Sequence, residues 1–197
     1  MKPVQKRSLQ TQARILETSR KLFEAEGCEN VTAEMIATEA GVAKGTVFAH
    51  FQDRSNLIAA VGMQEMQEAV CVMERRAADT NLAPLVDRVL ALYEPLLTLF
   101  SRNSEFARLF INQSTFDEGP WSTQFRNSCE SFEETLTDCL EREKSQKQCD
   151  VDARLLAEGA QAFFLQIVTY RIAGWIKDDE AAQQKFKSYL KVWLVSM

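Results

Sequence analysis

Apolar residues recur at helical spacing along nearly the whole chain. Near the N-terminus, Ile15, Leu16, Leu22 and Phe23 share one face of a helix predicted from about Leu9 to Glu26. No segment shows the sustained period-two alternation that is typical of a half-buried strand. The pattern therefore predicts an all-α chain of about nine helices.

Capping residues mark where several of these helices begin. Thr32, Asp53 and Asp152 each precede an apolar-periodic segment, and Asp178 or Asp179 precedes the last one. A short side-chain oxygen at such a position accepts from the free N–H groups of the first helical turn. The helices predicted after the first are 33–40, 43 or 44 to 50, 53–78, 82–100, 105–112, 121–144, 152–176 and 178 or 179 to 195.

Residues 32–51 have the features of a helix-turn-helix. Ala37, Gly41 and Val47 lie at the spacing A-x3-G-x5-V. A small residue lets the second helix cross the first closely, and a branched apolar residue fixes the crossing. Glycine suits the turn because it adopts a positive φ without strain. The sequence thus predicts a DNA-binding domain over residues 9–69 and a second helical domain over residues 70–197.

The same region resembles the N-terminal domain of the TetR/AcrR transcription regulators over about residues 9–60. Two positions depart from the family pattern, since Ala33 and Phe48 stand where the family often has Thr and Tyr. Each change removes a hydroxyl that can contact a phosphate. The shared residues are Ile15, Leu22-Phe23, Gly27, Thr32, Ile36-Ala37, Ala40-Gly41-Val42, Gly45-Thr46, Phe48, His50-Phe51, Arg54 and Leu57.

The resemblance implies two groups of DNA-contacting residues. Ala43, Lys44, Gly45 and Thr46 would approach the major groove at the start of the recognition helix. Thr32, Phe48, His50 and Arg54 would lie near phosphates. A lysine at this position can donate to guanine acceptors, and the following helix N-terminus favours a phosphate. The alternatives are a solvated Lys44 and an exposed helix-end His50, whereas Thr32 is a capping residue first and its phosphate contact is additional.

Charge is distributed as this division predicts. Residues 1–60 carry eight Lys or Arg and seven Asp or Glu, whereas residues 61–197 carry fifteen and twenty-one. The net charge of −5 therefore comes from the C-terminal part. A DNA-binding domain on an acidic body fits this distribution.

Large apolar residues of the C-terminal part suggest two further surfaces. Six aromatic residues are assigned to a ligand pocket, although ordinary core is the alternative: Phe100, Phe106, Phe110, Trp121, Phe125 and Phe164. Five residues of the last two helices are assigned to a homodimer interface, as the resemblance also implies: Phe163, Ile167, Phe186, Leu190 and Trp193. Packing inside one chain is the alternative for these five.

Residue spacing argues against other chemistry. The five cysteines are scattered and form no C-x-x-C pair, so we expect neither a disulfide framework nor a metal site. The sequence contains no Gly-rich phosphate loop, and it has a single histidine. We therefore predict no cofactor and no catalytic residues. No apolar run approaches the roughly 20 residues that span a bilayer, and the polar N-terminus is unlike a secretory signal. We expect a cytoplasmic protein without membrane contact.

Three functional hypotheses follow. The first is a dimeric repressor that binds a double-stranded, palindromic DNA operator and is released by a small-molecule effector of unknown identity. The second retains DNA binding but places control with a protein partner or with oxidation of a cysteine. The third is a helical enzyme that uses carboxylates alone.

Overall fold

The computed structural model describes residues 3–79, 83–116 and 118–195, and these residues form helices without any strand. The all-α prediction is confirmed. A 3-10 turn, Cys28–Asn30, and a π-helical turn, Asn112–Phe116, accompany the α-helices. The α-helices are α1 (Pro3–Glu26), α2 (Ala33–Glu39), α3 (Lys44–Phe51), α4 (Arg54–Ala78), α5 (Leu85–Arg102), α6 (Ser104–Ile111), α7 (Ser122–Lys147), α8 (Ala153–Ile172) and α9 (Asp179–Trp193).

The side chains of the predicted N-cap residues form the expected capping hydrogen bonds. In each case the side-chain oxygen accepts from the backbone N–H three residues further on, which satisfies a donor that has no partner inside the helix. The four caps are Thr32 at 3.2 Å, Asp53 at 2.7 Å, Asp152 at 3.0 Å and Asp178 at 2.8 Å. A fifth cap was not predicted: the buried Asn103 accepts from the N–H of Phe106 at 2.9 Å.

Several helix ends differ from the predicted ones. The first helix begins at Pro3 rather than near Leu9. Helix α8 ends at Ile172, four residues before the predicted end, and Gly174 then takes a φ of +74° that turns the chain away. The predicted start of the fifth helix at Leu82 lies outside the described residues.

The first three helices form a small bundle that packs on the start of α4. Its centre holds Ile15 of α1, Ile36 of α2, Val47 of α3 and Leu57 of α4, all buried. Helix α4 continues for 25 residues and packs against α5, α6 and α7. It therefore belongs to both halves of the molecule, and the predicted domain boundary at residue 69 falls within it.

The remaining helices surround an aromatic core. Rings of Phe100, Phe106, Phe110 and Phe125 contact one another, with centroid distances of 5.1–6.3 Å. Gly62 of α4 lies directly beneath the ring of Phe106, where a Cβ would come within 2.3 Å of it. The small residue thus lets α6 pack closely on α4.

Three residues predicted to face a second copy lie inside the protomer instead. Ile167, Phe186 and Leu190 are fully buried within one chain. The ring of Phe186 packs edge-on against Tyr93 of α5, with 5.1 Å between the centroids. These residues have no free surface to offer a partner, so their assignment to an interface is wrong. An apolar helix face has the same sequence pattern whether its own chain or another covers it.

Phe163 and Trp193 occupy a different position at the junction of α8 and α9. Both are half-buried, and their rings meet edge-on at 5.6 Å. The indole N–H of Trp193 donates to the carbonyl of Leu156 at 2.9 Å, and its ring lies over Gly159. Around them, Leu155, Val192 and Val195 are exposed. The apolar surface of the two helices is formed by these residues.

Candidate nucleic-acid interface

The turn between α2 and α3 has the predicted conformation. Gly41 has a φ of +63°, which other residues adopt only with strain. A Cβ added there would meet no atom within 4 Å, so the backbone angle and not space requires glycine. The N–H of Val42 then donates to the carbonyl of Ala37 at 2.9 Å and closes the turn.

One side of helix α3 packs against the bundle, and its other side is exposed to solvent. Val47 and Phe51 are buried against the bundle. Ala43, Lys44 and Gly45 are exposed at its N-terminus, and Thr46 is half-buried. The structure therefore brings the four predicted groove-facing residues together at one end of the helix.

Lys44 is not a freely solvated side chain. Its ammonium group lies 2.8 Å from a carboxylate oxygen of Glu34 on α2. The nearby ammonium lowers the pKa of this exposed carboxyl group. The ion pair joins the two helices of the motif. It engages the ammonium group of the lysine that the sequence predicts to contact DNA.

The other predicted phosphate neighbours are found around this end of the domain. Thr32 and Phe48 are exposed, and the hydroxyl of Thr32 also forms the cap of α2. His50 is half-buried beside a shallow polar cavity of about 250 Å³ that Gln12, Asn56 and Trp121 also line. The phosphate contacts of all three residues remain predictions.

Arg54 has a role that the sequence did not predict. Its guanidinium group donates to the carboxylate of Glu105 on α6 and to the carbonyl of Cys28 in the turn after α1. The half-buried side chain links three elements. Its contact with a phosphate remains a prediction. A partner 51 residues away on another helix leaves no local signal in the sequence.

The predicted pocket aromatics mostly form packed core. Phe100, Phe106, Phe110, Phe125 and Phe164 are at most 3% exposed, and their rings contact one another. The half-buried Trp121 instead reaches the first domain, where its indole N–H donates to Asn56 at 2.9 Å. Their role in ligand binding remains a prediction.

A larger cleft lies elsewhere, between α1, α4 and α5. Its volume is about 660 Å³, and both charged and apolar side chains line it. No local pattern in the sequence indicates this cleft, because its three walls come from distant segments.

The described part of the chain provides neither a cluster of metal-ligating side chains nor a helix that could span a membrane. Over residues 3–79, 83–116 and 118–195, no group of three or more His, Cys, Asp or Glu is placed to hold a metal ion. None of the helices in these same ranges has both the length and the apolar character needed to cross a membrane.

The fold and the site together define an all-helical protein with an N-terminal helix-turn-helix. Residues 15–61 match the sequence model described as bacterial regulatory proteins of the tetR family. An HTH-type transcriptional regulator of Staphylococcus aureus (strain bovine RF122 / ET3-1) is 41% identical over 54 residues, which are 27% of this chain. The match spans 29% of the length of that relative.

Solved structures resemble nearly the whole chain. A transcriptional regulator from Aquifex aeolicus VF5 aligns with a TM-score of 0.61 at 21% identity, over 92% of this chain and 98% of its own. FadR of Thermus thermophilus, a TetR-family repressor in complex with lauroyl-CoA, aligns with a TM-score of 0.63 at 18% identity, over 94% of each chain. The predicted resemblance to the TetR family is confirmed, by sequence over the N-terminal domain and by fold over nearly the whole chain. These relatives are named as regulators, in line with the predicted class.

Proposed function

We propose that the protein is a sequence-specific, DNA-binding transcription regulator. The exposed N-terminus of α3 carries this proposal. Ala43, Lys44 and Gly45 project from a helix whose opposite side is anchored by Val47 and Phe51. A helix presented in this way enters the major groove with its first residues at the base edges. Such a role places the protein in the cytoplasm with the chromosome.

We further propose that the protein acts as a dimeric repressor on a palindromic operator. Two copies related by two-fold symmetry would place their α3 helices in successive major grooves, about 34 Å apart. The exposed Leu155, Val192 and Val195, with the half-buried Trp193, provide apolar surface for the contact between copies. A small-molecule effector would release the operator by favouring a different separation of the two α3 helices.

Regulation by oxidation of Cys28, Cys129 or Cys139 has less support. Burial raises the pKa of Cys28 to about 12 and that of Cys129 to about 11. Burial also raises the pKa of Cys139. The thiolate is the form that reacts with oxidants, so these three side chains are poorly suited to sensing them at neutral pH.

Selection from random duplex DNA tests the proposal directly. The protein is expected to enrich a two-fold symmetric sequence. Lys44→Ala should weaken binding of the selected duplex about tenfold or more. Its binding should also depend less steeply on salt, by about 0.9 in the logarithmic slope for each phosphate that the variant no longer neutralises. Lys177→Ala, which makes the same change outside the motif, is the control. Failure to enrich any sequence, or equal binding by Lys44→Ala, would contradict the proposal.

A further inference from the structure

The cleft between α1, α4 and α5 is large enough for a small organic ligand. Its volume of about 660 Å³ lies within the range of about 300–1,000 Å³ that is common for ligand sites. It lies outside the aromatic cluster of Phe100, Phe106, Phe110 and Phe125. Because α1 belongs to the helix-turn-helix domain and α5 to the C-terminal domain, an occupant would contact both.

Part of the cleft is apolar. Phe23 of α1, Ala69 and Val72 of α4 and Leu99 of α5 contribute to its lining. Phe23, Ala69 and Leu99 are more than nine-tenths buried, so they present only small surfaces at its base. A ligand with an apolar body would cover these surfaces and exclude water from them, which favours binding.

Within the described part of the chain, two carboxyl groups of the cleft lack a hydrogen-bonding or ion-pair partner, those of Glu65 and Glu68, and Glu65 is the more buried of the two. Glu65 of α4 is half-buried and makes no hydrogen bond or ion pair with any of the residues that the structure describes. Burial and the neighbouring Glu24 and Glu68 raise its pKa, while Arg20 and Arg102 act against this rise. A cation placed beside Glu65 would provide the partner that the protein does not.

The two guanidinium groups do not make the cleft an anion site. Arg20 is held within 3.3 Å of both Glu17 and Glu24 on its own helix. Arg102 remains as the second cation, and it shares the cleft with Glu65 and Glu68. An anion would therefore meet uncompensated carboxylates, which repel it.

We propose that this cleft binds an amphipathic organic cation, with its charged group beside Glu65 and its apolar body against Phe23, Val72 and Leu99. The regulatory consequence rests on the proposed function. An occupant that bridges α1 and α5 fixes the helix-turn-helix domain relative to the rest of the chain, and DNA affinity changes with it.

Isothermal titration calorimetry on the full chain tests the site with two probes of matched shape and opposite charge. Tetraphenylphosphonium is expected to bind, and tetraphenylborate is not. Glu65→Gln should weaken tetraphenylphosphonium binding about tenfold or more. Glu134→Gln removes the same charge from an exposed position on α7 and should leave binding unchanged.

A second variant guards against loss of folding as the cause. Val72→Phe adds bulk to the cleft wall without changing charge, and it should also reduce binding while circular dichroism and the melting temperature stay close to those of the parent. Equal binding of the two probes, or unchanged binding by both Glu65→Gln and Val72→Phe, would overturn the proposal.

Failure of this site can be told apart from failure of the proposed function. Fluorescence anisotropy with the selected duplex reports DNA binding without either probe. Operator binding with no heat from tetraphenylphosphonium would refute the cleft site alone. Heat from the probe without operator binding would refute the regulator alone.

Discussion

Folding does not require glycine at position 45, whereas close approach of α3 to DNA is expected to require it. A Cβ at this position would meet no protein atom within 4 Å, and its φ is not in the left-handed region. Gly45→Ala should therefore fold normally and gain up to about 1 kcal/mol in free energy of unfolding, because alanine is the better helix former. Urea denaturation measures this gain.

The same substitution should weaken operator binding, since a methyl group at the start of α3 would stand between the helix and the groove. Gly41→Ala is the comparison, because its φ of +63° makes that change destabilising. If Gly45→Ala binds the duplex as tightly as the parent protein, α3 does not approach DNA through this residue.

The ion pair of Lys44 with Glu34 predicts that α2 restrains DNA binding. The lysine must leave the carboxylate, 2.8 Å away, before it contacts DNA. Glu34→Gln should therefore raise operator affinity severalfold at low salt, as measured by fluorescence anisotropy. Glu39→Gln, an exposed change of equal charge at the end of α2, accounts for general electrostatics. A gain no larger than that of Glu39→Gln would contradict the restraint.

The role of a single residue could be predicted when its bonding partners lie close to it in the sequence. The caps Thr32 and Asp53 could be predicted because each bonds to a backbone group three residues away. Gly41 could be predicted for the same reason, because its own positive φ is what requires glycine at this position. The contacts of Arg54 could not be predicted because its acceptors lie on other elements, and the family pattern specifies only which residue stands there.

At the scale of elements, the contact of α4 with α6 joins the two halves of the molecule. Arg54 begins α4, and its guanidinium reaches both Glu105 and the carbonyl of Cys28. Both charged side chains are about one-third exposed, so the pair should contribute only about 0.5–1 kcal/mol. A double-mutant cycle with Arg54→Gln and Glu105→Gln, measured by urea denaturation, is expected to give a coupling of this size.

Arg54→Gln should cost more than Glu105→Gln, because it also leaves the carbonyl of Cys28 without its donor. A cycle of Glu94 with Arg54 is the control, since Glu94 pairs with Arg76 instead. Zero coupling between Arg54 and Glu105 would show that the ion pair does not join the halves in solution.

The order and type of the helices could be predicted because apolar spacing and caps are local properties. Their ends were less predictable where local signals conflict, such as an apolar pattern that continues past a glycine. Helix α8 ends at Ile172 although apolar residues continue to Ile176, because the chain turns at Gly174. The cleft between α1, α4 and α5 could not be predicted, since it depends on how three helices of distant sequence are arranged.

At the scale of the whole molecule, the proposed dimer would form through the exposed apolar face of α8 and α9. Leu155, Val192 and Val195 are 55%, 77% and 81% exposed on a single chain. Such side chains gain free energy when a second copy covers them. A dimer formed through this face should therefore depend on Val192 and not on the buried Phe186.

Val192→Glu should shift the protein from dimer to monomer in sedimentation equilibrium, because each of the two symmetric contacts would bury a charge without a partner. Leu9→Glu makes a similar change at an exposed apolar residue of α1 and should leave the dimer intact. Since the fold of one chain does not need the side chain of Val192, the monomer is expected to keep its helical circular dichroism. It should lose operator affinity, because one α3 helix then contacts only one half-site. A Val192→Glu protein that remains dimeric would place the interface on another face.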